Sequence, residues 1–313
     1  MNSVFKPKLF AVLKEGYSRH QLQSDVMAGI IVGIVALPLA IAFAIASGVS
    51  PEKGLVTAII ASLVISVLGG SRVQISGPTV TFAMVIFTVV QQYGLEGVMI
   101  TTFLAGLMLI GFGVLKLGAI IKFIPHPLVV GFTSGIAVII FTTQVKDFLG
   151  LTIDHIPAGF AAKWGTFFNN LSSTNFYALA IGVGTALISI YSKKVLKKVP
   201  GSFIAIILTT LVVAIFKLPV STIGSTYGEI QTSISFSFPS FDLSTLANFV
   251  APAFTVAILC SIESLLSAVV SDGMISGHHR SNTELVAQGI ANVVLSVTGG
   301  IPASGVLART ATN

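Results

Sequence analysis

From residue 25 onward the chain is apolar almost throughout, cut at intervals by short polar turns. A helix needs ~20 apolar residues to cross a bilayer. Runs read as spans fall at 25–47, 53–68, 95–115, 128–145, 176–191, 203–216, 249–270 and 284–297. The first holds Pro38 at its middle and Gly29 and Gly33 four residues apart, which suits a kinked, closely packed helix. Ahead of it, residues 1–24 form a polar tail with a short amphipathic piece (Leu9, Phe10, Leu13) suited to a membrane surface. The mixed stretch 146–175 carries the only tryptophan, Trp164, and reads as an external loop with interfacial helix. The stretch 217–248, rich in Ser, Thr and Phe, reads as a second external loop.

One break differs from the others. Gly69-Gly70-Ser71-Arg72-Val73-Gln74-Ile75-Ser76-Gly77-Pro78-Thr79 interrupts the apolar pattern with paired glycines and a few β-branched, extended residues. A helix is expected to restart at Ser76-Gly77-Pro78, with serine as cap and proline in the first turn. The run from 78 to 90 is too short to span, so it reads as a half-helix beginning inside the membrane. The unpaired N–H groups and positive dipole end of such a start are tolerable only where they line a protein-enclosed cavity, and there they suit an anion.

Composition fixes the class. Hydrophobic residues make up 54%, charged residues 9%, and mean hydropathy is +0.95, against ~25% charged residues in soluble domains. The expectation is an all-α polytopic membrane protein. The net charge of +6 is concentrated in loops and reports topology, with no sign of a nucleic-acid partner. With the tail inside, Lys6, Lys8, Lys14, Arg19, Arg72, Lys116, Lys122, the Lys193–Lys198 cluster and Arg280 fall inside, against Lys53, Lys146, Lys163 and Lys217 outside. That balance obeys the positive-inside rule only if the Gly69–Thr79 break belongs to one crossing. It predicts a multi-pass protein of the cell membrane with a cytoplasmic N-terminus. Cys260, the single cysteine, reads as a small buried hydrophobe. His278-His279 is too small a set for a metal, Glu284 reads as a helix-start acid, and no nucleophile–base pair is visible. Neither an enzyme nor a cofactor is expected.

The end of the chain echoes the first break. Gly299-Gly300 repeats Gly69-Gly70, and Ser304-Gly305 repeats Ser76-Gly77, each followed by a helix start. An odd number of crossings separates them, so the two breaks run in opposite directions, as in an inverted repeat.

Specific motifs sharpen this. Asp25-Val26-Met27-Ala28-Gly29-Ile30, Ala36-Leu37-Pro38-Leu39-Ala40, Gln74-Ile75-Ser76-Gly77-Pro78-Thr79, Glu263-Ser264-Leu265-Leu266-Ser267-Ala268 and Ala308-Arg309-Thr310-Ala311-Thr312-Asn313 occur in this order. Together they resemble the SulP (sulfate permease) anion transporters. The resemblance implies a seven-plus-seven inverted-repeat fold in core and gate domains, with a cytoplasmic STAS domain and a homodimer in the complete protein. On that footing residues 25–216 are the first repeat, 217–248 an extracellular loop, and 249–313 the start of the second. The chain then reads as a truncated transporter without STAS domain.

The candidate site follows. Backbone N–H groups of Thr79 and Val80 would face those of Val306 and Leu307 across a small anion or carboxylate, with Ser76, Gly77, Pro78, Ser304 and Gly305 around it. The hydroxyls of Ser76, Thr79 and Ser304 would add hydrogen bonds. By resemblance Leu39 and Phe43 line the cavity from the first span. Glu263 is an intramembrane carboxylate, functional by default, and Ser267 one turn on shares its face. Oxygen ligands on one face suit a hard cation such as sodium; a proton on Glu263, or a purely structural pair with Arg309, are the alternatives. Arg309 either adds positive charge beside the anion or neutralises Glu263. The expected activity is secondary transport of sulfate, bicarbonate or a dicarboxylate by elevator-like alternating access, coupled to sodium or protons. The alternative is an uncoupled exchanger or channel-like anion conductor.

Overall fold

The computed structural model describes residues 6–119, 126–153, 156–157, 159–195, 201–228, 236–238, 245–311 and 313. Lys122, Pro125, Lys197, Lys198, Thr312 and, in the 217–248 loop, residues 229–235 and 239–244 lie outside the described residues. The chain divides into two compact units, Met1–Pro125 with Ile230–Asn313, and His126–Glu229.

The first unit holds α1 (Lys8–Glu15), α2 (Arg19–Ala46), α3 (Pro51–Leu68), β1 (Ser76–Pro78) and α4 (Ala83–Val114). The second unit holds α5 (His126–Leu149), α6 (Phe160–Asn169), α7 (Phe176–Val195), α8 (Gly201–Phe216) and α9 (Ile223–Tyr227). The chain then returns to the first unit with α10 (Ala247–Ile275), α11 (Ser281–Thr298), β2 (Ala303–Gly305) and α12 (Leu307–Thr310). Among the described residues, four helical segments are long and apolar enough to cross a membrane: Arg19–Ala46, Pro51–Leu68, Val80–Val114 and Ala247–Ile275. In the second unit, α6 is the helix expected within 146–175. Its Trp164 packs with Phe160, Phe167 and Phe168 beside the small core of Leu151, Ile153 and Phe167.

The half-helix and the span after it are joined at one residue. Gly94 has φ 64° and ψ −162°, outside the helical region, and divides α4 in two. A left-handed φ of this kind favours glycine. The expected restart at Ser76–Pro78 is corrected. Those residues form a strand, a 3₁₀ turn follows at Val80–Phe82, and the α-helix begins at Ala83. The reason is pairing: β1 lies antiparallel to β2, with Ser76 opposite Gly305, Gly77 opposite Ser304 and Pro78 opposite Ala303. The two breaks that echo each other in sequence are therefore hydrogen-bonded partners.

The core of the first unit is built by α4, α10 and α11 around Ile86, Leu109, Val256, Ala257, Leu265 and Leu285. Helices α4 and α11 meet at glycines. A Cβ on Gly106 would lie 2.7 Å from the Gly289 carbonyl oxygen, and one on Gly289 2.6 Å from that of Gly106. Only glycine allows this approach, which brings the polar face of α11 within reach of both breaks.

Candidate functional site

A helix broken at membrane depth leaves peptide groups that have no water to bind, and each must find an internal partner. The structure supplies them from three helices. On α11, Glu284, Gln288, Asn292 and Ser296 recur every four residues and are fully buried. They form one polar stripe along the helix. Glu284 Oε2 accepts the Gly70 N–H at 2.8 Å, and Gln288 Nε2 donates to Glu284 Oε1 at 3.1 Å. Asn292 grips Ala303 as a neighbouring strand would, its Oδ1 accepting the Ala303 N–H and its Nδ2 donating to the Ala303 carbonyl, both at 2.9 Å. From α3, Thr57 Oγ1 accepts the Ile301 N–H at 2.8 Å, and Ser62 Oγ donates to the Ser76 carbonyl at 2.8 Å. From α10, Ser264 Oγ accepts the Gly305 N–H at 2.8 Å. The stripe escaped the sequence reading, which took Glu284 for a helix-start acid. The four-residue spacing of polar residues inside a span was the available signal.

Glu263 stands at the junction. Its carboxylate accepts from Thr79 Oγ1 at 3.1 Å and Thr81 Oγ1 at 3.3 Å on the first break, and from Ser304 Oγ at 2.6 Å on the second. One half-buried acid on α10 thus holds hydroxyls of both breaks. Its neighbours are three hydroxyls, so the oxygen set is larger than the Glu263–Ser267 pair read from sequence. Ser267 faces elsewhere, donating to Thr310 Oγ1 at 3.2 Å, while Thr310 Oγ1 accepts the Ile75 N–H at 3.1 Å.

Arg309 is the second charged group. It is 1% exposed, and Nε, Nη1 and Nη2 have no hydrogen-bond partner among the described residues. The Glu263–Arg309 pair considered from sequence is absent from the ion pairs of the described residues, which are Arg72–Glu15 and His279–Asp272. Its guanidinium lies against Gly77, where a Cβ would collide with Nη1. Buried donors without partners are rare, and a buried charge without one is costly.

The other expected residues fall as follows. Ser76 Oγ lies within donating distance of Gln288 Oε1 at 3.0 Å and the Ser304 carbonyl at 2.8 Å, so its hydroxyl is engaged inside the protein. The Val306 N–H, expected to face an anion, is corrected: it donates to the Ile75 carbonyl at 2.8 Å, because strand-like pairing runs one residue past β2. Thr79 and Val306, the residues that precede the helix starts at Val80 and Leu307, make no side-chain cap hydrogen bond of their own. Leu39 and Phe43 are half-buried on α2, a helix that touches β1 and α12.

Membrane helices broken at depth, and joined around a carboxylate and a buried guanidinium without a hydrogen-bond partner among the described residues, define a multi-pass membrane domain. The chain belongs to the sulfate permease family, whose pattern matches residues 22–313. It is 47% identical over 302 residues to YvdB of Bacillus subtilis (strain 168), provisionally named a sulfate transporter, with 96% of this chain and 57% of that protein covered. It is 30% identical over 313 residues to the bicarbonate transporter BicA of Picosynechococcus sp. (strain ATCC 27264 / PCC 7002 / PR-6), covering 93% of this chain and 53% of that one. The chain therefore spans little more than half the length of these relatives. The solved transmembrane domain of a cyanobacterial BicA superposes with a TM-score of 0.82 at 29% identity, over 95% of this chain and 77% of that one. Murine Slc26a9, an anion transporter solved in the inward-facing state, shares the fold at a TM-score of 0.81 and 18% identity, over 100% of this chain and 57% of that one.

Proposed function

We propose that this chain carries the substrate site of a secondary active transporter for a small anion, with sulfate and bicarbonate the leading candidates and dicarboxylates next. The observation that carries this is Arg309, a buried guanidinium beside the paired breaks with no hydrogen-bond partner among the described residues. An oxyanion is the complement such a fork takes best, since two parallel N–H···O bonds match its geometry. The N-terminal ends of the turns that begin at Val80 and Leu307 add partial positive charge on the same junction. Relatives named for sulfate and bicarbonate transport agree with this choice of ligand.

Coupling rests on Glu263. Its carboxylate with the Thr79, Thr81 and Ser304 hydroxyls makes an all-oxygen set of the kind a hard cation takes, and the same acid could carry a proton instead. Sodium is here a co-transported substrate. Because the set joins both breaks, filling it would pin β1 and β2 together and order the anion site. Elevator-like movement of the first unit, a cytoplasmic N-terminus and a homodimer belong to the same reading.

The test is uptake of radiolabelled sulfate or bicarbonate by the intact protein in proteoliposomes, with and without an inward sodium or proton gradient. Parent uptake should rise with one gradient, and Glu263→Gln should lose that dependence. Flux that ignores both gradients in the parent would identify an uncoupled exchanger or channel-like conductor and end the coupling idea.

A further inference from the structure

The tail and the first break meet at Gly69. The Lys8 N–H donates to the Gly69 carbonyl at 2.9 Å, and the Arg280 N–H to the Gly70 carbonyl at 2.9 Å. Arg280 Nη1 donates to the Lys6 carbonyl at 2.5 Å, and Arg72 pairs with Glu15 at 2.7 Å. These bonds dock α1 onto the turn that opens the break and onto the turn before α11.

Docking leaves a cavity of about 530 Å³ lined by Lys6, Phe10, Ala11, Lys14 and Arg280. Its wall is mostly apolar, its charged lining residues are Lys6 and Lys14 of the tail and Arg280 of the turn before α11, and no carboxylate lines it. The nearest acids are engaged elsewhere, Glu15 with Arg72 and Asp272 with His279 at 2.6 Å. The crowding of positive charge is felt by Lys8 next door. Partial burial, then Arg280 and Arg72, hold its ammonium below the usual lysine range.

The same helix is apolar on its outside. No residue of α1 is buried, and Leu9, Phe10 and Leu13 are 37%, 59% and 53% exposed. A short helix that shows aliphatic and aromatic side chains beside a basic cavity, just before the first span, is built for the boundary between headgroups and acyl chains.

We propose that the Lys6–Lys14–Arg280 cavity binds the phosphate headgroup of an anionic membrane lipid, with the acyl chains against Leu9, Phe10 and Leu13. A free phosphate would satisfy the three cations but would leave the apolar face of α1 uncovered, which is why a lipid is the better fit. Bound there, the headgroup would tie α1 to the turn at Arg280. That turn holds Gly70, and Gly70 is also held by Glu284 of the buried stripe. Lipid composition would therefore bear on the rigidity of the first break.

The experiment is native mass spectrometry of the intact protein in detergent, titrated with dioleoyl phosphatidylglycerol or dioleoyl phosphatidylcholine. The parent should retain phosphatidylglycerol in preference to phosphatidylcholine. Each basic residue near an anionic headgroup is worth about five-fold in affinity. Lys6→Gln with Lys14→Gln should therefore weaken phosphatidylglycerol binding roughly twenty-five-fold. Lys6→Arg with Lys14→Arg should bind as the parent does. Equal binding by the glutamine variant and the parent would overturn the proposal, as would loss of binding in the arginine variant. Displacement of the lipid by millimolar inorganic phosphate would overturn the lipid assignment in favour of a free oxyanion. The readout contains no transport step, so it stands or falls separately from the anion-transport reading.

Discussion

Replacing Asn292 with leucine isolates the role of the buried stripe. Asn292 Oδ1 and Nδ2 make paired 2.9 Å bonds to the Ala303 N–H and carbonyl, and both residues are fully buried. Leucine has a similar volume, so little cavity arises. The Ala303 carbonyl keeps a contact from Cys260 Sγ at 3.3 Å, but its N–H is left with nothing. An orphaned buried N–H costs about 1–3 kcal/mol, and the weakened carbonyl adds about 0.5–1.5 kcal/mol. The sum, about 1.5–4.5 kcal/mol, should lower the apparent melting temperature by roughly 3–18 °C, taking ~2–4 °C per kcal/mol. Temperature-ramped size-exclusion chromatography of detergent-solubilised protein measures this. Gln144→Leu, at an exposed amide of α5, is the control and should shift the midpoint by about 1 °C or less. If Asn292→Leu shifted no more than the control, the stripe would not be what satisfies the second break.

Two further substitutions probe the junction. Gly77→Ala should leave the melting temperature nearly unchanged, because the atom its Cβ meets is the far end of the Arg309 side chain; anion affinity, read by isothermal titration of sulfate, should fall up to about ten-fold as the guanidinium is displaced. Glu284→Gln replaces one acceptor oxygen with a donor, so either the Gly70 N–H or Gln288 Nε2 loses its partner. A loss of about 1–3 kcal/mol is expected, with faster hydrogen exchange at Gly70; unchanged exchange there would contradict the capping role.

Much of the architecture was legible because membrane spans announce themselves by length and polarity. The breaks were legible too, since Gly69-Gly70 and Gly299-Gly300 are expensive inside an apolar helix unless something requires them. Their pairing as β1 and β2 was not. Three-residue strands carry almost no periodicity, and partners more than two hundred positions apart share only the small residues that an echo shows. The helix start was placed too early for the same reason, because Ser76 and Pro78 suit a cap as well as a strand edge. At the site, chemistry was legible and geometry was not. Glu263 was marked by the cost of charge in a membrane, and Arg309 by its place at the start of the last half-helix. Spacing along α10 put Ser267 beside Glu263, whereas the carboxylate turns to Thr79, Thr81 and Ser304 across the fold. Glu284 does stand in the first turn of α11, but its partner Gly70 could not be read from sequence, because the packing of α3 on α11 brings it there.

The central claim is that an anion completes the coordination of Arg309. Equilibrium binding of radiolabelled sulfate and bicarbonate to the intact, purified protein, parent against Arg309→Gln, tests it most directly. A hydrogen-bonded charge pair is worth about 1.5–3 kcal/mol, so the variant should bind roughly ten- to a hundred-fold more weakly while remaining folded by size-exclusion chromatography. Equal affinity in the two proteins would contradict the account.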